Sequence, residues 1–378
     1  MPGVKFIAPV FEASGYAAAA RNYILALYEQ GYPVTVHPVE FTRPKSDLGA
    51  EGEMLRALVE KKIVYDKVIA HCTPDSWRSV LKHEKGKYII GLTTWETDRL
   101  HPIWTSSCNR VQEVWVPSQW NVDVFRKSGV EVPVYRVPHA LSADDSRALK
   151  PLAIDGVRDD DFVFYAIFQW QERKNPAELL EVYLSTFAGE NSVVLVLKTY
   201  LQHPSENPEE IRARLNEIRA DVNVMRYPRV VPIVQNLSHL DMQRLHRRGD
   251  CFALLQRAEG WGLPHFDAAA NGRPVITTGY GGHTDFLNPE NSYLIDYQLR
   301  PVTRMRWTPY YKADGRWAAP DLCQAAKAMR HVFDHREEAR ERGRRAQARV
   351  EQEFSRSVVG RLMADRLSTI DGRIAANS

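Results

Sequence analysis

The sequence has 378 residues, 44% of them hydrophobic and 26% charged, and its 50 Lys and Arg against 47 Asp and Glu give a formal charge of +3. This composition is typical of a globular protein that is long enough for two domains with separate cores. No apolar run approaches the roughly 20 residues of a membrane-spanning helix. The N-terminus also lacks the pattern of a signal peptide. We therefore expect a cytoplasmic protein without an integral membrane segment.

Short apolar runs alternate with helical stretches along the first part of the chain. This alternation is typical of parallel sheets whose strands are joined by crossover helices. The predicted strands are Val4 to Phe11, Val34 to Val39, Lys67 to Cys72, Tyr88 to Thr93, Glu113 to Pro117 and Val134 to Val137. We expect an α/β domain over residues 1–150.

A polar stretch from Leu141 to Asp161 interrupts the alternation and predicts a linker. The alternation then restarts. The predicted strands of this second half are Phe162 to Phe168, Ser192 to Thr199, Val230 to Gln235, Cys251 to Gln256, Pro274 to Thr278 and Ser292 to Ile295. We expect a second α/β domain over residues 151–350, and a ligand cleft between the domains at the carboxyl ends of their strands.

Beyond Asp321 the sequence predicts helix to the C-terminus. One amphipathic segment extends to about Gln352, and Ser355 has the character of an N-cap for another segment that extends to about Ile370. The first segment is rich in arginine, but interleaved glutamates indicate a solvated face. We expect residues 351–378 to pack back on the N-terminal domain.

Neither the cysteines nor the acidic residues predict a metal site. Four cysteines lie far apart, without a Cys-x-x-Cys pair, so neither structural zinc nor a disulfide framework is indicated. The acidic run 159–161 precedes the strand that opens the second half, and we interpret it as a turn. The sequence therefore predicts no catalytic metal and no required cofactor.

The most specific pattern is the run A-E-G-W-G-L-P-H-F-D-A-A-A-N-G-R-P-V-I over residues 258–276. It places a glycine-containing loop after a strand, starts a helix near Pro264 and ends that helix at Gly272. Such a loop presents backbone N–H groups and the positive end of the helix dipole, which favours a phosphate or diphosphate. Glu259 and Asp267 flank this anion site. We expect these carboxylates to bind hydroxyls, for which a sugar and a ribose are the natural candidates.

This run resembles the E-x7-E segment of the retaining glycosyltransferases of family 4, the group 1 type, whose usual form is E-G-F-G-L-P-x-x-E-A-M-A-x-G-x-P-V. The resemblance implies an α/β fold of two facing Rossmann-like domains (GT-B), acceptor domain first and donor domain second, with a C-terminal helical segment. It implies that Glu259 holds hydroxyls of the transferred sugar and that the shorter Asp267 holds the nucleotide ribose. An acidic turn that merely stabilises the helix is the alternative. Further implied donor contacts are Gly260, Trp261, Gly262 and Leu263.

A second region of resemblance is F-Q-W-Q-E-R-K-N-P over residues 168–176. Family members carry an Arg here and a Lys five residues later, and both cations neutralise the donor diphosphate. Lys174 matches the Lys, Gln169 stands in place of the Arg, and Arg173 is a neighbouring guanidinium that can grip phosphate. Otherwise both cations merely flank a helix start, where cations are disfavoured without an anion. Lys198 either faces the cleft or is an exposed strand-end lysine.

Two further glycine loops complete the donor site that the resemblance implies. Gly15 matches a loop with which family members approach the diphosphate from the first domain. Gly281 and Gly282 match a G-G-x-x-E/D-F/L element, and they permit close backbone approach to a phosphate or sugar.

The acceptor side is predicted less narrowly. Family members often carry a His in the loop occupied here by Trp95, Glu96 and Thr97. Glu96 or Thr97 takes its position, or a loop carboxylate caps the helix that begins near Pro102. His71 and His139 either line the acceptor site or are satisfied within their loops. The aromatic side chains suited to stacking on a saccharide or nucleobase are Trp95, Trp104, Trp120 and Tyr16.

The resemblance thus predicts a metal-independent retaining glycosyltransferase that moves a sugar from a UDP- or GDP-sugar to an acceptor hydroxyl. Glu259, Lys174 and Arg173 would act at the reacting centre. The acceptor is expected to be a glycan or glycolipid. A hydroxymethylated base of phage-type DNA is an alternative, which the pI of about 8.5 and the arginine-rich helices motivate.

Two rival functions remain open. A nucleotide-sugar epimerase or hydrolase has the same architecture. A nucleotide-sugar-binding protein without catalysis is motivated by Gln169, Asp267 and the missing loop histidine. The resemblance also leaves peripheral contact with a membrane as a second location beside the free cytoplasm.

Overall fold

The computed structural model describes residues 2–40, 48–142, 149–201, 208–303, 305, 308–312 and 314–376. Its contacts divide the chain into two compact units: unit 1 comprises Met1–Asp144 and Glu351–Ser378, and unit 2 comprises Asp145–Val350. Each unit contains a parallel six-stranded sheet with helices, which confirms the predicted α/β fold of two Rossmann-like units. Residues 143–148 of the predicted linker from Leu141 to Asp161 lie outside the described residues.

Unit 1 has the strand order β2-β1-β3-β4-β5-β6, and every neighbouring pair is parallel. The strands are β1 Gly3–Ala8, β2 Val34–Pro38, β3 Tyr65–His71, β4 Tyr88–Leu92, β5 Glu113–Val116 and β6 Val134–Arg136. The helices that follow them are α1 Gly15–Glu29, α2 Gly49–Leu58, α3 Trp77–Val80, α4 Pro102–Cys108 and α5 Gln119–Lys127. All six predicted strands of this half are present. The prediction succeeds because strands of a parallel sheet that is covered on both faces are continuous apolar runs, which the sequence shows directly.

Unit 2 has the strand order β12-β11-β10-β7-β8-β9, again with parallel neighbours. The strands are β7 Phe162–Gln169, β8 Val193–Tyr200, β9 Arg229–Ile233, β10 Cys251–Leu254, β11 Val275–Thr278 and β12 Tyr293–Ile295. The helices between them are α6 Pro176–Thr186, α7 Pro208–Val222, α8 His239–Arg248 and α9 Leu263–Ala270. A separate antiparallel hairpin, which the sequence did not predict, consists of β13 Tyr297–Pro301 and β14 Arg316–Pro320.

The C-terminal part contains three helices where the sequence predicts two: α10 Leu322–Asp334, α11 Arg336–Phe354 and α12 Arg356–Ala376. His335 interrupts the predicted first segment with non-helical φ −118° and ψ 57°. Its ring stacks on His331 with the ring centres 4.3 Å apart. Neither Gly nor Pro marks this break, so the sequence carries no signal for it. Among the residues that the structure describes, no helix has the length and hydrophobicity needed to cross a bilayer.

Helix α12 packs on α1 within unit 1. The contact is close because Gly360 lies against the backbone of Ala26, where a Cβ would overlap the Ala26 carbonyl oxygen. Apolar residues of α12 at helical spacing complete the core of unit 1: Val359, Met363, Leu367 and Ile370. Buried Lys67 of β3 pairs with Asp66 at 2.7 Å and with Asp371 of α12, which fixes the end of the helix.

Candidate active site

A glycine-containing loop joins β10 to α9 and carries Glu259. Gly262 precedes the helix with φ 85°, a left-handed conformation that favours glycine. Pro264 occupies the first turn, as predicted, because it needs no backbone N–H there. No side chain caps this end of α9 among the described residues. The first-turn N–H groups and the dipole of α9 therefore remain available to an anion.

The second glycine pair lies directly against this loop. Gly281 has φ 120°, and a Cβ there would overlap the carbonyl oxygen of Glu259. The N–H of Gly282 donates to the same carbonyl oxygen at 2.8 Å. The structure thus brings two loops together that are separate in the sequence, and Gly281 accounts for the close approach.

Arg173 and Lys174 lie in a short 3₁₀ turn between β7 and α6. Two hydrogen bonds connect this turn to the Glu259 loop. The Arg173 guanidinium donates to the carbonyl oxygen of Ala258 at 2.8 Å, and the Arg173 backbone carbonyl accepts from the N–H of Arg257 at 2.8 Å. Asn175 follows in the left-handed region, φ 56°, and its amide donates to the Leu255 carbonyl at 2.9 Å. These bonds hold both cations beside the loop after β10.

Glu259 forms ion pairs with both cations. Its Oε1 accepts from the Lys174 ammonium, and its Oε2 lies 3.4 Å from Arg173 Nη1. All three residues are at most 9% exposed. Burial alone would raise the pKa of Glu259, but the charges of Lys174 and Arg173 outweigh it and lower that pKa to about 2. The site therefore holds a carboxylate and two cations in a dry environment.

Gln169 is the last residue of β7, and Lys198 lies two residues before the end of the neighbouring strand β8. Gln169 is half-buried, and its amide oxygen accepts from the side-chain amide of Gln171. As a neutral amide it offers no positive charge to an anion. The alternative that Lys198 is an exposed strand-end lysine is wrong, because it is only 6% exposed. Burial lowers its pKa to about 8.

Asp267 lies in the second turn of α9 and is half-buried. Burial raises its pKa to about 6, with a small opposite effect from His239 at the start of α8. Leu263 lies one turn earlier on the same side of the helix. The ring of Trp261, in contrast, is 2% exposed and packs on Phe266 and Phe286, so the ring supports the loop from inside.

A buried polar layer, which the sequence did not predict, lies beneath these loops. Gln256 exchanges hydrogen bonds with Thr277 at 2.8 and 3.0 Å. His265 and His283 stack with ring centres 5.1 Å apart, and each lies 3.3 Å from the Gln256 amide. Burial lowers the pKa of both histidines, that of His283 to about 4. Two histidines close to Glu259 on glycine loops are the one signal that the sequence offers.

In unit 1, histidines and tyrosines meet at the carboxyl edge of the sheet. His71 at the end of β3 is 5.1 Å from the ring of Tyr16, and Tyr23 contacts both His71 and His139. Burial lowers the pKa of His71 to about 4 and of His139 to about 3, so both are neutral. Gly15 is the exposed first residue of α1 beside them.

The loop after β4 differs from its prediction. Trp95 is 1% exposed, donates to Thr97 Oγ1 at 2.8 Å, and packs on Trp104, which is 4% exposed. The prediction that these two rings stack on a ligand is therefore wrong. Trp120 and Tyr16, in contrast, are half-buried, so part of each side chain is accessible. The capping prediction is also wrong, because His101 caps α4. Glu96 stays half-buried and acts electrostatically on Tyr16.

The last residue of the acidic run 159–161 forms ion pairs with two arginines, one before the run and one after it in the sequence. Asp161 is 4% exposed and pairs with Arg158 at 3.0 Å and with Arg229. Burial would raise the pKa of Asp161, but both arginines together lower it to about 2. No group of three or more metal-ligating side chains occurs within the described part of the chain.

No family model and no curated protein matches this sequence. Solved structures of similar fold extend over nearly the whole chain. Sucrose-phosphate synthase from Thermosynechococcus elongatus has a TM-score of 0.69 and 16% identity, covering 99% of this chain and 100% of that one. A glycosyltransferase from Rickettsia africae has a TM-score of 0.67 and 12% identity, covering 98% of each chain.

A third structure of similar fold is Anabaena Alr3699/HepE in complex with UDP and glucose. It has a TM-score of 0.65 and 12% identity, covering 98% of this chain and 100% of that one. At these identities the likeness establishes the fold. That fold is the GT-B architecture, as the resemblance in the sequence predicts.

Proposed function

We propose that this chain is a retaining glycosyltransferase of family 4, which moves a sugar from a nucleoside-diphosphate sugar to an acceptor hydroxyl. One observation carries the proposal: Glu259 pairs with Lys174 and Arg173 beside the uncapped amino end of α9. The fold likeness to Alr3699/HepE, whose structures hold UDP with glucose and UDP-glucose, supports a nucleotide-sugar donor and favours UDP.

In this proposal the donor replaces the ion pairs of the free site. Its diphosphate takes over Lys174 and Arg173, together with N–H groups at the start of α9. Glu259 then accepts hydrogen bonds from hydroxyls of the sugar, and Asp267 from the ribose. Two cations and a helix end can balance a diphosphate, so the proposed reaction needs no metal ion.

The proposed chemistry depends on stabilising the leaving group. Lys174 and Arg173 stabilise negative charge as the bond between the sugar carbon and the phosphate oxygen breaks. The acceptor hydroxyl attacks the oxocarbenium-like sugar on the face that the diphosphate leaves, and its proton passes to the departing phosphate oxygen. In this proposal Glu259 does not act as the nucleophile, because it binds hydroxyls of the sugar. A sugar found covalently attached to the enzyme during turnover would contradict this mechanism.

We assign residues 151–350 as the donor domain and residues 1–150, with 351–378, as the acceptor domain. The carboxyl edge of the unit 1 sheet supports this assignment, since it gathers groups that suit a polyhydroxylated ligand. The hydroxyls of Tyr16 and Thr93 share one hydrogen bond of 3.0 Å there, and the Glu12 carboxylate accepts from the Ser14 hydroxyl at 2.8 Å. A glycan or glycolipid is the proposed acceptor.

The test is a binding and turnover screen of UDP-, GDP-, ADP- and TDP-sugars with EDTA present. The wild type is compared with Glu259→Gln, and with Glu290→Gln as a control at an exposed position. We expect one donor to raise the unfolding temperature of the wild type and to be slowly hydrolysed. Glu259→Gln should lose this hydrolysis, and the control should keep it.

The same screen separates the rival functions. Epimerisation of the donor or its rapid hydrolysis without an acceptor would favour the epimerase or hydrolase. Donor binding without turnover on any acceptor would favour a binding protein. If no sugar nucleotide binds, the proposed function is wrong.

A further inference from the structure

Lys198 lies near the carboxyl end of β8, between β7 and β9. It pairs in register with Ile167 on one side and Ile233 on the other. The residue is 6% exposed, and its ammonium lies 5.5 Å from the centre of the Tyr200 ring. Among the described residues its ammonium has neither a hydrogen bond nor an ion pair, and burial alone shifts its pKa.

This state is costly for a lysine. An ammonium removed from water loses hydration that only a partner restores, and burial accordingly lowers the pKa of Lys198 to about 8. The other buried lysines of the described chain are paired, Lys67 with Asp66 and Asp371, and Lys174 with Glu259. Lys198 therefore keeps its donor capacity for a group that the described residues do not supply.

The side chain lies on the face of the sheet that carries α8. Tyr165 of β7 contacts His246 of α8. Because side chains alternate along a strand, Ile167 lies on the same face as Tyr165. Lys198 shares that face through its register with Ile167.

The position of Lys198 along the sheet points to one part of a sugar nucleotide. In strand order, the loop after β10 holds Glu259, the turn after β7 holds Arg173 and Lys174, and β8 holds Lys198. If the sugar lies at Glu259 and the diphosphate at the two cations, the nucleoside extends over β8 and β9. The electrostatic coupling of Asp267 with His239, at the start of the helix after β9, fits a ribose on that side.

Resting on the proposed function, we propose that Lys198 reads the nucleobase of the donor by donating a hydrogen bond to a ring carbonyl oxygen. A lysine ammonium only donates. It therefore suits an oxo base such as uracil, guanine or hypoxanthine. It opposes an exocyclic amino group at the same place, as in cytosine or adenine, because two donors then face each other.

The experiment measures affinities for two pairs of nucleoside diphosphates, UDP against CDP and IDP against ADP, and for pyrophosphate. The proteins are the wild type, Lys198→Met, and Lys327→Met as a control at an exposed lysine. We expect the wild type to bind the oxo member of each pair at least tenfold more tightly. Lys198→Met should bring both ratios close to one, with unchanged affinity for pyrophosphate, and the control should keep both ratios.

Lys198→Met should also raise the unfolding temperature of the free protein, because it removes a buried unpaired charge, so misfolding does not obscure the result. An equal loss of affinity for all diphosphates and for pyrophosphate would overturn the inference and make Lys198 a phosphate ligand. Unchanged ratios would overturn it as well. If the wild type binds no nucleoside diphosphate, the proposed function itself fails, which is a distinct result.

Discussion

Glu259 and Lys174 form a buried ion pair although 85 residues separate them in the sequence. Removing one partner leaves the other charge buried, so Lys174→Met and Glu259→Gln should each cost about 3 kcal/mol of unfolding free energy. The double variant should cost less than the sum of the two, because the second change relieves the charge that the first one leaves. Urea unfolding of the four proteins measures this coupling, and additive costs would contradict it.

Gly281 is expected to be intolerant of any side chain. Gly281→Ala must displace the backbone of Glu259, so donor affinity should fall at least tenfold. Gly189→Ala is the matched control, since Gly189 also has a positive φ, 80°, but no atom lies within 4 Å of the added Cβ. The control should lose about 1 kcal/mol of stability to backbone strain and keep its donor affinity, as titration calorimetry would show. Equal donor affinity in both variants would refute the close approach.

Asp267 should make donor binding depend on pH. Its pKa is raised to about 6, so the carboxylate that would accept from ribose hydroxyls is lost as the pH falls below 6. Affinity for the sugar nucleotide found in the screen should therefore decline from pH 7 to pH 5 in the wild type. Asp267→Asn should bind more weakly at pH 7 and show a flatter profile. Parallel profiles in both proteins would argue against a ribose contact.

The sequence predicted the strands of both sheets and the glycine-containing loop that leads into α9, because apolar runs and glycine-to-helix transitions are local patterns. It did not predict that Trp95 is buried, since an aromatic residue in a loop packs inward or outward according to distant neighbours such as Trp104. It also left the place of Lys198 open. Burial of a strand-end lysine depends on the helices that cover the sheet, which no local pattern reports.

Five histidines that are buried in the described part of the chain predict acid sensitivity. Burial lowers the pKa of His71, His139, His246, His265 and His283. In the unfolded chain each titrates near 6.5, so their stabilising effect is complete above that pH and declines as the pH falls toward 4. Each should contribute about 1.4 kcal/mol per pH unit to the slope of stability in that range.

Urea unfolding between pH 7.5 and pH 4.5 measures this slope. His283→Gln should lower the slope by the contribution of one histidine. A slope that the variant leaves unchanged would mean that His283 is not held neutral in the folded protein.

The α1–α12 contact allows a comparison within one helix. Gly360→Ala should destabilise the protein by about 2 kcal/mol or more, because the added Cβ meets the backbone of Ala26. Gly372→Ala, in the same helix with no atom within 4 Å of the added Cβ, should be neutral or stabilise by up to about 1 kcal/mol. Thermal unfolding distinguishes the two. Similar unfolding temperatures would mean that the helices can separate without cost.

The C-terminal helix α12 also sets an order of events during synthesis. Unit 2 is one continuous stretch, whereas the core of unit 1 includes Val359 and Ile370, which the ribosome adds after all of unit 2. N-terminal domains usually fold first during synthesis. In this protein, the first strands of unit 1 cannot complete their core until α12 has been synthesised. Unit 1 is therefore synthesised first but completed last. The apolar surface that α12 will cover needs protection from other chains until translation ends.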